Sequence, residues 1–282
     1  MRAATSGADR YRDPLPAIDW DAVDHECWWL PPAALSLSGV PEFEALPMVQ
    51  RRSVSHFEYL HLLQTGLWLE ALFVERVAQL AWRTPDLNLK GALLREIREE
   101  AGHSLMFVEL IRRSGIEPAA PGVAMRVNRA FARTVAPGSA LFWGLTVIGE
   151  ELPNRFLREL QAGIEDVTMS RVVLSMAHLH SSDEEEHAEF ARRQCTRTLA
   201  GAAPWRRAAL SIALAAWLRA FERHLFYPPA SLYTRAGLTP GAAWRARALA
   251  SRDRRSLAER MREPTTTYLR RVGWTLPRTG QK

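Results

Sequence analysis

Glutamate stands three residues before histidine at Glu100 with His103 and again at Glu184 with His187 in the 282-residue chain. On a helix, residues three apart share a face, so each pair presents a carboxylate and an imidazole in one direction. Both pairs sit among apolar neighbours. Leu93, Ile97, Phe107 and Ile111 share the first face, and Val173, Ala177, Ala188 and Ala191 share the second. Glu70 stands in a similar stripe of Tyr59, Leu63, Gly66, Leu67, Phe73, Val74 and Val77, whereas Glu75 points elsewhere, toward solvent. A carboxylate inside an apolar stripe is destabilising unless it is protonated, paired or bound to a cation. A lone histidine on such a face is ordinarily a hydrogen-bonded core residue. The duplication is what argues for metal.

A further segment reads Glu150-Glu151, where Glu151 lies nearer the apolar face and is the expected ligand, with Glu150 as the alternative. The chain then holds two halves: Glu70 with Glu100-x-x-His103, and Glu151 with Glu184-x-x-His187. A dimetal carboxylate bundle needs that set, one Glu from each of two helices and a Glu-x-x-His from each of the other two. Oxygen-rich ligation with one imidazole per metal suits iron or manganese better than zinc or copper. The competing account places these glutamates on exposed faces, paired with arginines, and leaves the repetition unexplained. His180 goes beyond the standard set. It stands four before Glu184 and seven before His187, so all three stack on one face, while His178 faces away. It is either a third nitrogen ligand or a hydrogen-bond partner behind the ligands.

This pattern resembles the p-aminobenzoate N-oxygenase-like (AurF-like) diiron oxygenases. The residues that carry the likeness are Glu70, then Glu99-Glu100-x-x-His103, then His180-x-x-x-Glu184-x-x-His187, with the extra histidine as the family's mark. The likeness spans residues 50–200. It implies a ferritin-like fold with Glu70, Glu100, His103, Glu151, His180, Glu184 and His187 around two iron ions, and dioxygen as co-substrate. The implied reaction oxidises a small-molecule amine to a hydroxylamine, nitroso or nitro product. No flavin or nicotinamide fingerprint is visible, so electrons are expected from a separate ferredoxin or reductase. Related half-motifs also serve oxygenation at carbon, by hydroxylases or desaturases, and ferroxidase or iron-storage chemistry. Storage subunits are little longer than the bundle, and the additional chain on both sides here is better explained as the walls of an organic-substrate pocket. Phe73, Phe107, Trp143 and Phe190 are candidates for such walls, with core packing as the blander account of each.

Four long helices must position these residues, and the periodicity predicts them over about Val54–Trp82, Leu89–Arg113, Ser139–Ala162 and Asp166–Leu199. Ser114-Gly115 is a normal helix stop, and Pro153 should kink the third helix or mark an irregular turn. Pro118, Pro121 and Gly122 mark a loop, followed by a short helical piece over Met125–Arg133. A fifth apolar helix spans Trp205–Phe226, and shorter ones are expected over Ala242–Ala250 and Arg254–Arg262. No run alternates with a period of two, so the fold class is all-α, a ferritin-like four-helix bundle core with extra N- and C-terminal helices. The reading treats 1–282 as one domain: an N-terminal arm over 1–50 packed by Trp28 and Trp29, a metal-binding bundle over 51–200, and a helical extension over 201–282.

Composition agrees with an ordinary globular chain, with 47% hydrophobic and 24% charged residues. The net charge of +6 comes mostly from arginines on helix faces. No nucleic-acid-binding motif or basic run interleaved with aromatics accompanies it, so no nucleic-acid partner is expected. Cys27 and Cys195 are far apart and fit a reducing cytoplasm. The N-terminal residues lack the apolar stretch of a secretory signal, and Ala208–Leu218 is too short to span a bilayer, so no membrane role is expected. A homodimer is the expected assembly.

Overall fold

A computed structural model describes residues 11–117, 122–162 and 168–276, without the side chains of Ala124 and residues 160–162. The expected loop prolines Pro118 and Pro121, and the expected helix start at Asp166, lie outside the described residues. So do both ends of the chain. After three short 3-10 turns in the N-terminal arm, ten helices follow among the described residues: α1 (Pro41–Glu44), α2 (Met48–Arg83), α3 (Leu87–Ser114), α4 (Val123–Thr134), α5 (Ala140–Ala162), α6 (Arg171–Ala200), α7 (Pro204–Phe226), α8 (Ala230–Arg235), α9 (Gly241–Ala250) and α10 (Arg252–Arg271). Among the described residues there is no strand, only one isolated bridge between Trp28 and Met169. The chain is all-α and ferritin-like, with α2, α3, α5 and α6 as the four-helix core.

The core consists of two helix pairs set against each other. α2 packs chiefly on α3 and α5 chiefly on α6, and sparser contacts between α2 and α5 and between α3 and α6 close the bundle. Thr84–Asp86 is too short to do anything but return the chain beside α2, which makes the first pair a hairpin. Asp86 starts α3 by accepting hydrogen bonds from the backbone N–H of Asn88 (2.9 Å) and Leu89 (3.3 Å). Gly115, at φ 64°, ends it in the left-handed conformation that favours glycine.

α2 starts six residues before the periodicity suggests, because Met48 and Val49 are exposed and contribute no apolar stripe. α10 extends well past Arg262 and carries Pro264 inside it. α5 runs through Pro153 as one helix. Proline has no N–H for the preceding turn, so the Gly149 carbonyl is left without its usual helical donor at a point where α5 lines a cavity.

The arm is bolted to the bundle by buried polar contacts. The backbone N–H groups of Trp29 and Leu30 donate to Ser55 Oγ on α2 at 2.9 and 2.7 Å. Trp28 N–H donates to the Thr168 carbonyl, and the Trp28 carbonyl accepts from Ser170 N–H just before α6. Farther along, Ser36 bonds to the carboxylate of Glu58 on α2 and to Tyr233 on α8. Arg254 on α10 donates to the Ala34 and Phe226 carbonyls.

Candidate metal centre

Glu70 on α2, Glu100 and His103 on α3, and His180, Glu184 and His187 on α6 are all at least nine-tenths buried and meet in the middle of the bundle. They form two overlapping groups of possible ligand atoms, each within 4.8 Å: Glu100, His103, Glu184 and His187, and Glu70, His103 and His180. His103 Nδ1 lies 3.6 Å from Glu100 and 3.4 Å from Glu184. His187 Nδ1 lies 3.1 Å from Glu100 and 3.7 Å from Glu184. His180 Nε2 lies 3.6 Å from Glu70 and 3.4 Å from Glu184. His178 is exposed on the opposite face.

Several of these atoms are close without being bonded. Nδ1 of His103, Nδ1 of His187 and Glu100 Oε1 are buried and lack an aligned hydrogen-bond partner. Orphaned polar atoms are costly in a protein interior. Here they converge on one spot, and a cation bound there would satisfy all of them. The donor set, carboxylates with imidazoles, fits two iron or manganese ions.

The outward edges of two imidazoles are held by carboxylates. His187 Nε2 lies 2.9 Å from Glu99 on α3, and His103 Nε2 lies 3.3 Å from Asp183 on α6. With each Nε2–H given to an outer acid, an ion that displaced the inner proton would meet the Nδ1 lone pair, as metal-binding histidines require. Ser104 donates to Glu70 Oε2 at 2.5 Å and fixes that carboxylate. The sequence reading did not assign roles to Glu99, Asp183 or Ser104. A signal for the two acids was present, since an acidic residue immediately precedes the glutamate of both Glu-x-x-His motifs.

The local charges reflect this crowding. Burial alone would lower His103, but Asp183, Glu100 and Glu184 raise it to about 10. Burial likewise opposes protonation of His187, and Glu100, Glu184 and Glu99 prevail and raise it well above the ordinary range. Burial would raise Glu184, yet His180 and His187 hold it below the usual carboxylate range. Glu70 is raised, mainly by burial. Protonated imidazoles therefore neutralise the acids when no ion does so.

The two α5 glutamates, Glu151 and its alternative Glu150, have different surroundings. Glu151 is buried, but its carboxylate accepts hydrogen bonds from Arg192 Nε and Thr265 Oγ1, both at 2.6 Å, and from Arg155 at 3.2 Å. That places it in a structural ion pair tying α5 to α6 and α10. Glu150 is the residue turned to the cluster. Burial and the charges of Glu184 and Glu100 raise its carboxyl well above the ordinary range. Glu151 is buried and Glu150 faces a cavity inside the fold, so apolar periodicity could not choose between them.

Two cavities flank the cluster. The first, partly open and about 710 Å³ when the solvent at its mouth is included, touches Glu70, Glu100, Glu150, His180 and Glu184. Its remaining wall is largely apolar, with Phe73, Phe142, Leu145 and Trp217, but it includes Arg76. Arg76 is 8% exposed, donates to Gln79 and to the Val135 carbonyl, and has no carboxylate partner among the described residues. Its Nε and the indole Nε1 of Trp217 are buried donors without an acceptor. The second cavity, about 520 Å³, shares Gly66, Pro153 and His180 with the first. Of the four aromatic candidates, Phe73 lines the first cavity and Phe107 the second, whereas Trp143 and Phe190 pack edge-to-face in the core.

Among the described residues, no helix is long and apolar enough to cross a membrane. Comparison with known proteins places the chain near uncharacterized proteins of Mycobacterium bovis and Mycobacterium tuberculosis strain H37Rv. Each is 21% identical over 239 residues, covering 78% of this chain and 66% of the relative. An uncharacterized protein of Mycobacterium tuberculosis strain CDC 1551 is 22% identical, over 66% of this chain and 56% of its own length. The chain thus spans about two thirds or less of the length of the curated relatives it matches. The model of the p-aminobenzoate N-oxygenase AurF family matches residues 2–273, which take in every residue of the cluster, and the chain belongs to that family.

Proposed function

We propose that the protein is a diiron N-oxygenase acting on a small-molecule amine. The observation that carries this reading is the buried set of Glu70, Glu100, His103, His180, Glu184 and His187, with Glu150 on the wall of the cavity beside it, within the AurF family. Glu150 takes the place in the ligand set expected of Glu151. Two iron ions held there would supply activation of dioxygen. In each two-electron step, the amine nitrogen gains one oxygen atom and the other leaves as water. The balance takes two electrons and two protons from outside, through a ferredoxin or reductase.

The chain's own residues do the rest. The apolar walls exclude water from the reacting nitrogen. Glu99 and Asp183 hold His187 and His103 in the tautomer that faces the ions. Arg76 and Trp217 offer their unused N–H donors to an acceptor on the substrate. Along α2, Arg76 stands six residues past Glu70, roughly 9 Å of helix rise. A substrate with an anionic group at one end and an amine at the other would bridge that distance.

Anaerobic loading with ferrous iron followed by elemental analysis should give about two irons per chain. Amines with and without a carboxylate are then turned over with dioxygen and a chemical reductant. Arg76→Ala should raise KM for the carboxylated amine about tenfold or more, with kcat far less affected, as for a lost charge-assisted hydrogen bond. Hundreds of irons per assembly would point to storage instead, and oxygenation at carbon alone would replace the N-oxygenase reading.

A further inference from the structure

We infer that the second cavity is a gas pocket that holds dioxygen and passes it to the metal cluster past His180, separate from the space that takes the amine. The inference rests on the diiron reading only for the use to which the gas is put. Leu63, Phe107, Phe156, Met176, Ala177 and Leu225 make the wall apolar. The Thr65 hydroxyl in that wall is already given to the His61 carbonyl at 2.8 Å. Tyr59 and His180 are left as the polar edges. A buried water needs two to four polar partners, whereas an apolar cavity stays dry and takes up apolar atoms or molecules such as xenon or benzene. Dioxygen is small, uncharged and apolar, so the same space admits it.

The placement of His180 turns this space from a packing defect into a route. Its Nε2 faces Glu70 and Glu184 inside the cluster, while Nδ1 is buried with no partner and the ring packs on Phe107 at a centroid distance of 5.3 Å. Gly66 sets that arrangement, because a Cβ there would lie 2.6 Å from Phe107 Cε2. The glycine lets the Phe107 ring sit close to α2 and beside His180. The first cavity carries Arg76 and the carboxylates, which suits a polar substrate. A substrate filling it would leave the second cavity open to the gas.

Xenon binding to the metal-free protein, followed by xenon NMR, tests the pocket without any turnover. Xenon should bind to the wild type and be lost in Ala177→Phe, which fills the cavity. Met176→Ala, which enlarges it, should bind xenon more strongly and keeps the test open if the filled variant does not fold. The ferrous protein is then mixed with dioxygen in the absence of amine, and Ala177→Phe should oxidise several-fold more slowly than the wild type. Absence of xenon from the wild type, or ordered water in its place, would overturn the proposal. So would a filled variant that excludes xenon yet reacts with dioxygen at the wild-type rate. If xenon and ferrous oxidation behave as expected but no amine is oxidised, the gas pocket stands and the N-oxygenase reading falls.

Discussion

Glu150 and Glu151 are adjacent in sequence, and the proposed ligand set takes the first of them. Glu150→Gln should lower the iron bound after anaerobic loading, because it removes a negative ligand from the cluster. Glu151→Gln should keep the iron and lose about 1–3 kcal/mol of stability in a denaturant melt, since Arg192 and Thr265 would face a weaker partner. The reverse pattern would restore the assignment made from periodicity. Six of the seven proposed ligands were legible because carboxylates and histidines on apolar stripes are physically anomalous and the anomaly occurs twice. The seventh was not, since α5 is buried around most of its circumference and no side stands out. Asp183 escaped for the opposite reason. Its side chain is 50% exposed and looks like any solvated acid, although one of its oxygens reaches a buried imidazole.

Among the elements, α2 carries the most information. Helix propensity alone would make Gly66→Ala stabilising by about 1 kcal/mol. The contact with Phe107 predicts the opposite sign, a loss of about 1–3 kcal/mol from overpacking, with the His180 ring displaced behind it. A thermal melt gives the sign directly. α2 also meets α7 through His61 and His224, whose rings are 4.7 Å apart, and His224 accepts from or donates to Thr65 at 3.2 Å. Burial lowers both histidines, His224 to about 3 with help from the charge His61 would carry. A lowered histidine is neutral in the fold, so its contribution is complete above the unfolded value near 6.5 and is lost as pH falls below it. Relative to His224→Gln, the wild type should lose about 1.4 kcal/mol per pH unit between pH 6 and 5. Parallel denaturation curves for the two proteins over that range would remove this account. The helix existed in the sequence pattern, but its partnership with α7 did not, because neither histidine has a spacing relation to the other.

Across the whole molecule, the N-terminal arm, the bundle and the C-terminal helices share one buried polar network. Burial raises Glu58 and lowers Arg254, and each is partly relieved by the charge of the other. Arg254 also satisfies two carbonyls from segments distant in sequence. Arg254→Met should therefore cost about 3–5 kcal/mol, as for a buried charge left uncompensated, while the folded fraction still loads iron. Unchanged stability would reduce the network to ornament. The tryptophans of the arm were legible as anchors, and Trp29 is fully buried. Ser36, Glu58, Tyr233 and Arg254 were not, because they are ordinary residues brought together only by tertiary packing.

The crossed support of the two histidines has a consequence for how such a centre can change. α3 supplies the acid that steadies α6, and α6 supplies the acid that steadies α3. Neither helix pair, α2 with α3 or α5 with α6, contains a finished half of the proposed site, because each carries the brace for the other's imidazole. A substitution that drifts into one motif is felt by the histidine of its counterpart, and a graft of one helix pair into another scaffold would bring a histidine without its brace. The smallest heritable unit of this centre is the pair.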